Sequence, residues 1–235
     1  MTLLTVEGLH AWYGRAHILQ GVDLTVGRGE VVALMGRNGA GKSTTMKAVM
    51  GLLAERRGRV AFEGKDVSAL PPHRIARLGM GYVPEDRRVF AELTVRENLE
   101  VGRQPPRAGA PQWTPERLYA LFPNLAGMKE RRGARMSGGE QQMLTLARTL
   151  MGNPSLLLLD EPSEGLAPRI VQQMAEAVRT LKAEGLSVLL SEQNLGFAAA
   201  VADRAAVIEK GRIRWEGGMA ALLADEDVRR AYLAV

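Results

Sequence analysis

The sequence predicts an α/β protein built on a mainly parallel sheet, and three observations carry that expectation. "EVVALMG" at 30–36 and "SLLLLD" at 155–160 are uninterrupted apolar runs of the kind that strands buried on both faces require. The first leads through a glycine-rich loop into "TTMKAVMGLL", where Met46, Val49, Met50 and Leu53 recur at helical spacing. The second is followed by "PRIVQQMAEAVRTLKAEG", with Pro168 suited to a helix start and Gly185 to its end, and then by a third apolar run, "LSVLLS". Strand, helix and strand in that order call for parallel neighbours.

The remaining elements fit around this frame. "LLTVEGL" and "VDLTV" are strand-like runs ahead of it. From about residue 86 to 153 the texture changes to helix-like segments around the Pro-rich connection "QPPRAGAPQWTPE", with no convincing buried strand, so a helical sub-lobe inserted into the sheet is expected. "AAVIEKGRIRWEG" predicts a hairpin turning at Lys210 and Gly211, and short helical stretches finish the chain. There is no internal repeat. At 235 residues the chain is within the range of one α/β unit with a substantial core, and one domain over 1–235 is expected.

Composition narrows the chemistry. With no cysteine, disulfides and thiolate metal sites are excluded, which fits a reducing compartment. "MTLLTVEGLHAWYG" has neither a basic n-region nor a long apolar h-region, and Leu156–Leu159 is far too short to span a bilayer, so a soluble protein is expected. The net charge of +5 suits acidic headgroups, nucleic acid or bound phosphates, and equally a plain solvated basic surface.

Gly36, Arg37, Asn38, Gly39, Ala40, Gly41, Lys42 and Ser43 match G-x-x-x-x-G-K-[ST] between a strand and a helix, which is the context the motif requires. Glycines keep side chains out of the way so that backbone N–H groups converge on phosphates, and the helix N-terminus adds its dipole. Lys42 would reach the β and γ phosphates, and the hydroxyl of Ser43 would ligate Mg²⁺, with Thr44 completing the set. In "LLLLDEP", Asp160 and Glu161 sit at the carboxyl end of a buried strand, where α/β sheets bind ligands. Adjacent carboxylates repel unless a cation compensates. Asp160 would hold the metal through water, and Glu161 would act as general base towards the attacking water. In "MSGGEQQMLTLARTL", Ser137 can cap a helix striped by Met143, Leu146, Ala147 and Leu150, while Gly138 and Gly139 leave its N-terminal amides open to an anion.

These three motifs in this order resemble those of ATP-binding cassette (ABC) ATPases, over essentially all 235 residues. The resemblance implies a P-loop NTPase fold with an N-terminal antiparallel β sub-lobe and an inserted α-helical sub-lobe. It also implies ATP and Mg²⁺ as ligands, and two cassettes that sandwich two nucleotides head to tail. Ser137 and Gly139 would then serve the partner's γ-phosphate. Tyr13 in "AWYGRAHIL" matches the family's adenine-stacking aromatic; a packed core aromatic is the other reading. "SEGLAP" at 163–168 occupies the loop that crosses the dimer interface, with Ala167 in place of the usual aspartate.

Two further departures stand out. Glu85 in "YVPEDRRVF" replaces the glutamine that reaches Mg²⁺ and begins the loop facing the membrane partner; it keeps an oxygen ligand but loses the amide donor. Gln193 in "SEQN" replaces the histidine that touches the γ-phosphate, and His10, His17 and His73, the only histidines present, lie nowhere near it in sequence. Glutamine can donate a hydrogen bond but cannot carry positive charge. Losing one charged hydrogen bond to a transition state costs about 2–4 kcal/mol, so this half-site is slowed by about two to three orders of magnitude, unless Gln193 with a water performs the same contact.

Together "PEDRR", "SEGLAP" and "SEQN" are similar to the branched-chain, or hydrophobic, amino-acid uptake subfamily, in which the ATPase works beside a second, non-identical cassette. That implies an energy-coupling subunit, cytoplasmic and peripheral on the inner face of the membrane. Its partners would be permease subunits, a second ATPase or a second copy of itself, and a solute-binding protein reached through the permease. The groove near Glu85, Arg87, Arg88 and Phe90 is where a permease helix would dock. Short cassettes for urea uptake and lipopolysaccharide export share these traits, including an ending like "DVRRAYLAV". A soluble machine on DNA or ribosomes would use "KERRGAR" at 129–135 as its phosphate-contacting patch, but 235 residues leave no room for the tandem cassettes or coiled coils such machines carry, and no nucleic acid is expected. A nucleotide sensor without turnover is opposed by the intact Glu161.

Overall fold

The computed structural model describes residues 1–233; Ala234 and Val235, which close the "DVRRAYLAV" ending, lie outside the described residues. β1 (Thr2–Tyr13) and β2 (Ala16–Gly27) form a long antiparallel hairpin. β3 (Val31–Met35) then enters the interior with every residue buried and delivers the chain to the glycine loop and α1 (Lys42–Val49). That helix is shorter than its apolar spacing predicts. Met50 caps it, Gly51 turns the chain at φ 72°, and Leu53 is buried beyond its end.

β4 (Arg56–Phe62) pairs with β1, and β5 (Lys65–Asp66) with β4, which gives a four-stranded antiparallel sheet in the order β2-β1-β4-β5. α2 (Pro72–Leu78) leads to β6 (Met80–Val83). Neither β4 nor β6 is visible as a strand in sequence. The first opens on charged residues and turns apolar only at its end, and the second is four residues long and contains a glycine.

The chain next leaves the sheet through α3 (Val95–Val101), α4 (Pro115–Leu121), α5 (Pro123–Ala126), a 3₁₀ turn (Gly133–Arg135) and α6 (Gly138–Leu150). It re-enters as β7 (Leu156–Asp160), parallel to and paired with β6. The expected helical insertion is therefore a detour between two adjacent strands. Asn98 fastens its entrance: the fully buried amide donates to the carbonyls of Phe90, Leu93 and Thr94 at 3.0–3.1 Å and accepts from the Phe90 N–H at 2.9 Å.

α7 (Pro168–Ala183) follows, and Gly185 closes it at φ 87° as its position predicts. β8 (Ser187–Glu192), α8 (Leu195–Val201), β9 (Arg204–Glu209), β10 (Arg212–Gly218), α9 (Met219–Ala224) and α10 (Glu226–Tyr232) complete the described chain. The β9–β10 turn falls on Lys210 and Gly211, both at positive φ. The second sheet runs β10-β9-β3-β8-β7-β6, mainly parallel, with β10 antiparallel at its edge. One core fills the space between the two sheets around α1, and another lies on the opposite face under α6, α7 and α8. Among the described residues no helix is long and apolar enough to cross a membrane.

Candidate nucleotide site

The strand order decides what meets at the carboxyl edge of the parallel sheet. β8 lies between β3 and β7, so the glycine loop after β3, the carboxylates ending β7 and the polar end of β8 converge although they are far apart in sequence. Gly36 is confined there: a Cβ would collide with the Ile208 carbonyl of β9, so the loop packs directly on the neighbouring strand. Gly41, at φ 115°, makes the turn into α1 in a backbone region closed to other residues. The Gly211 N–H donates to the Ala40 carbonyl at 2.8 Å, which fixes the loop to the β9–β10 turn.

Lys42 is 3% exposed and points back into its own loop, where Nζ donates to the carbonyls of Gly36 at 2.8 Å and Arg37 at 3.2 Å. It also pairs with Glu161 Oε1 at 3.1 Å, and Glu161 is itself only 6% exposed. The other Glu161 oxygen accepts from Gln193 Nε2 at 3.2 Å. Asp160, buried beside it, has a separate set of donors: Ser43 Oγ at 2.8 Å, Ser191 Oγ at 2.7 Å and the Tyr82 hydroxyl at 2.9 Å. The two adjacent carboxylates are thus compensated independently, one by an ammonium and an amide, the other by three hydroxyls. Burial and the neighbouring Asp160 carboxylate both push the Tyr82 phenol well above its usual range, so it remains a donor. Glu161 has φ 46°, a left-handed conformation that costs about 1–2 kcal/mol, and its carboxylate shares none of the three hydroxyls bonded to Asp160.

Asn38, Gly39, Gly41, Lys42, Ser43, Thr44, Glu85 and Glu161 line one cavity of about 380 Å³, together with Glu164. Glu85 also lines an adjoining cavity of about 420 Å³ with Tyr13, Lys47, Tyr82 and Asp160. Tyr13 is 48% exposed there, which removes the reading of it as a packed core aromatic. Ser137, Gly138 and Gly139 line neither cavity. Ser137 caps α6 in a reciprocal box with Glu140: its hydroxyl accepts from the Glu140 N–H, and Glu140 Oε2 accepts from the Ser137 N–H at 2.7 Å.

Four participants are absent from the sequence reading. Tyr82 and Ser191 hold Asp160. Glu192, buried at the end of β8, accepts from the Ser163 N–H at 3.0 Å and from the N–H groups of Gln193 and Asn194 at 3.1 and 3.0 Å. It joins the loop after Glu161 to the turn that carries Gln193, and burial raises its carboxyl above the ordinary range. Glu164, bonded to and repelled by Glu161, is pushed up to about 7. The available signal was a polar cluster ending a buried strand, "SEQN", of which only Gln193 stood out.

The donor set fits a magnesium nucleotide. An ammonium and the N-terminal amides of α1 suit phosphate oxygens, and the Ser43 hydroxyl beside the Asp160 carboxylate suits a hard cation that prefers oxygen. A P-loop after β3, paired carboxylates on β7 and an antiparallel sheet over α1 define a P-loop nucleoside triphosphatase. Residues 19–164 match the ABC transporter family. The chain is 45% identical over 231 residues, 98% of its length and 99% of the other's, to the high-affinity branched-chain amino acid transport ATP-binding protein BraG of Pseudomonas aeruginosa. It is 36% identical to the lipopolysaccharide export system ATP-binding protein LptB of Haemophilus influenzae, over 99% and 98% of the two chains. A nucleotide-free ATP-binding cassette from an ABC transporter superposes with a TM-score of 0.82 at 29% identity, covering 97% of each chain. This protein belongs to the ABC transporter family and is an ATP-hydrolysing, ATP-binding subunit of it; the family implies use of ATP and Mg²⁺ and work beside a membrane permease.

Proposed function

We propose that this chain is the energy-coupling ATPase of an importer of branched-chain or other hydrophobic amino acids. It is one ABC ATPase domain, peripheral on the cytoplasmic face of the permease and paired with a second cassette. The amino-acid cargo rests on the similarity to BraG over nearly the whole of both chains. The mechanism rests on the position of Glu161 between Lys42 and Gln193.

Without nucleotide, Lys42 neutralises Glu161, so the general base is masked by the cation that binds phosphate. A γ-phosphate at the loop competes for Lys42 and releases Glu161. Glu161 then takes the proton of the attacking water as its oxygen bonds to phosphorus and the bond to the β–γ bridging oxygen breaks, which leaves ADP and phosphate. Gln193 Nε2 steadies the Glu161 carboxylate but brings no charge to the transition state, which makes this the slower site of an asymmetric pair. Ser43 and Asp160, with Glu85 at the rim, would hold Mg²⁺, which when bound neutralises phosphate charge. Tyr13 would stack on adenine, and Ser137, Gly138 and Gly139 would receive the γ-phosphate of the partner's nucleotide. That placement agrees with their absence from the chain's own cavities.

The similarity to LptB supports a second reading, an ATPase of lipopolysaccharide export, which works as a symmetric pair in this account. The molar mass of Glu161→Gln, measured by light scattering with and without Mg-ATP, separates the two. A monomer that binds ATP supports the unequal pair, and an ATP-dependent homodimer favours the symmetric exporter. Removal of the chain from its cell tests the cargo: loss of leucine, isoleucine and valine uptake is expected, and intact uptake with an outer-membrane defect overturns it.

A further inference from the structure

Arg87 lies in the loop after β6, two residues beyond Glu85, and its backbone is held left-handed at φ 47°. Its guanidinium does not reach out to solvent as a docking charge would. Nη2 donates to the carbonyl of Glu164 at 2.9 Å and reaches that of Gly165 at 3.4 Å, both in the loop that follows the general base. Nη1 lies so close over Gly138 that a Cβ there would overlap it. One cation therefore spans the Glu164–Gly165 loop and the N-terminus of α6. The next residue ties the same loop to α6 a second time, since Arg148 of α6 donates to the Arg88 carbonyl and stacks over Phe90 at 4.8 Å from the ring centroid. Charged donors on backbone carbonyls are the stronger hydrogen bonds, and a planar guanidinium keeps the nitrogen on the loop carbonyls in fixed relation to the nitrogen over Gly138.

We propose that Arg87 is a positioning residue that clamps the Glu164–Gly165 loop against the Gly138 end of α6. Movement of the loop after β6 then changes the spacing of the two segments that meet the partner cassette. The inference rests on the head-to-tail reading above for its consequence, but not for the clamp itself. Arg87 thus leaves the set of docking residues expected from sequence, and Arg88 and Phe90 remain in it. A side chain at Gly138 would push the guanidinium aside, a shift the flexible arginine stem can make and which would pull it off the loop carbonyls.

Hydrogen–deuterium exchange on the full-length monomer tests the clamp. Arg87→Ala is expected to speed amide exchange in residues 163–167 by about tenfold, with thermal midpoint and Mg-ATP affinity nearly unchanged. Arg87→Lys should restore part of the protection, since a single ammonium nitrogen can bond the loop carbonyls but cannot also place a second nitrogen over Gly138. Gly138→Ala should loosen the same segment in the wild type and add nothing in Arg87→Ala, because the clash it creates is with Arg87. Unchanged exchange in Arg87→Ala, or an additive effect of Gly138→Ala, overturns the proposal. Should Glu161→Gln self-associate with ATP, the outcome that favours the symmetric pair, adding Arg87→Ala should weaken that association by about tenfold, and undiminished association counts against the clamp. If Glu161→Gln alone stays monomeric, pairing of this chain with itself fails, and the exchange data decide Arg87 independently.

Discussion

The phosphate side of the site and the signature side solve opposite problems. On the phosphate side Lys42, Asp160 and Glu161 are buried, and each charge has found its partners within the chain. On the signature side Ser137, Glu164, Gly165 and Ala167 are exposed, and their order comes from a capping box and from one arginine on backbone carbonyls. Charges cannot stay buried and unpaired, so a site that must remain folded between turnovers stores its ammonium and carboxylate in each other. A surface proposed to meet a second subunit has the contrary need: its amides must stay open, and its alignment must yield to movement elsewhere.

The sharpest way to break this contrast is to unpair the buried side. Lys42→Ala leaves Glu161 without its cation, and the carbonyls of Gly36 and Arg37 without their donor. The nucleotide-free protein should lose about 3–5 kcal/mol of stability in denaturant titration, and adding Glu161→Gln should recover much of it. A smaller effect is expected from Gln193→His. An imidazolium in place of the amide beside Glu161 should raise single-turnover hydrolysis by about 10–100-fold with little change in ATP affinity. No acceleration would show that Gln193 already performs the contact adequately.

The smallest effect belongs to the exposed side. Glu164, raised from the ordinary carboxylate range to about 7, binds its proton more tightly folded than unfolded. Its contribution to stability is full below about pH 4.5 and is lost as pH rises through about 7. The thermal midpoint of the nucleotide-free protein should therefore fall across that window. Glu164→Gln should flatten part of the slope, and the rest belongs to Glu192, whose buried carboxyl is raised in the same sense. An unchanged slope in Glu164→Gln would mean that the Glu161–Glu164 contact does not hold its proton.

Legibility in the sequence followed contiguity. The phosphate loop, "LLLLDEP" and "MSGGE" are short runs in which backbone and chemistry are specified together, and the structure places all three as strand end, loop and capped helix. The helical detour was visible as a loss of strand pattern ahead of the buried strand β7. β4 and β6 were not, because a strand of four residues, or one that opens on arginines, has too few alternations to be told from a loop.

The residues expected to meet ATP and the central succession of buried strand, loop and helix were determined by the sequence itself, because each of those features is local and its spacing is fixed by strand and helix geometry. Only the tertiary structure decided that Lys42 pairs with Glu161, that Tyr82 and Ser191 complete the surroundings of Asp160, and that Arg87 reaches the loop after Glu161. Each of those contacts joins residues far apart in the chain, and they meet because β8 threads between β3 and β7 and the helical detour folds back onto the same edge. Strand order is set by burial across the whole sheet, a quantity that no single stretch of sequence contains.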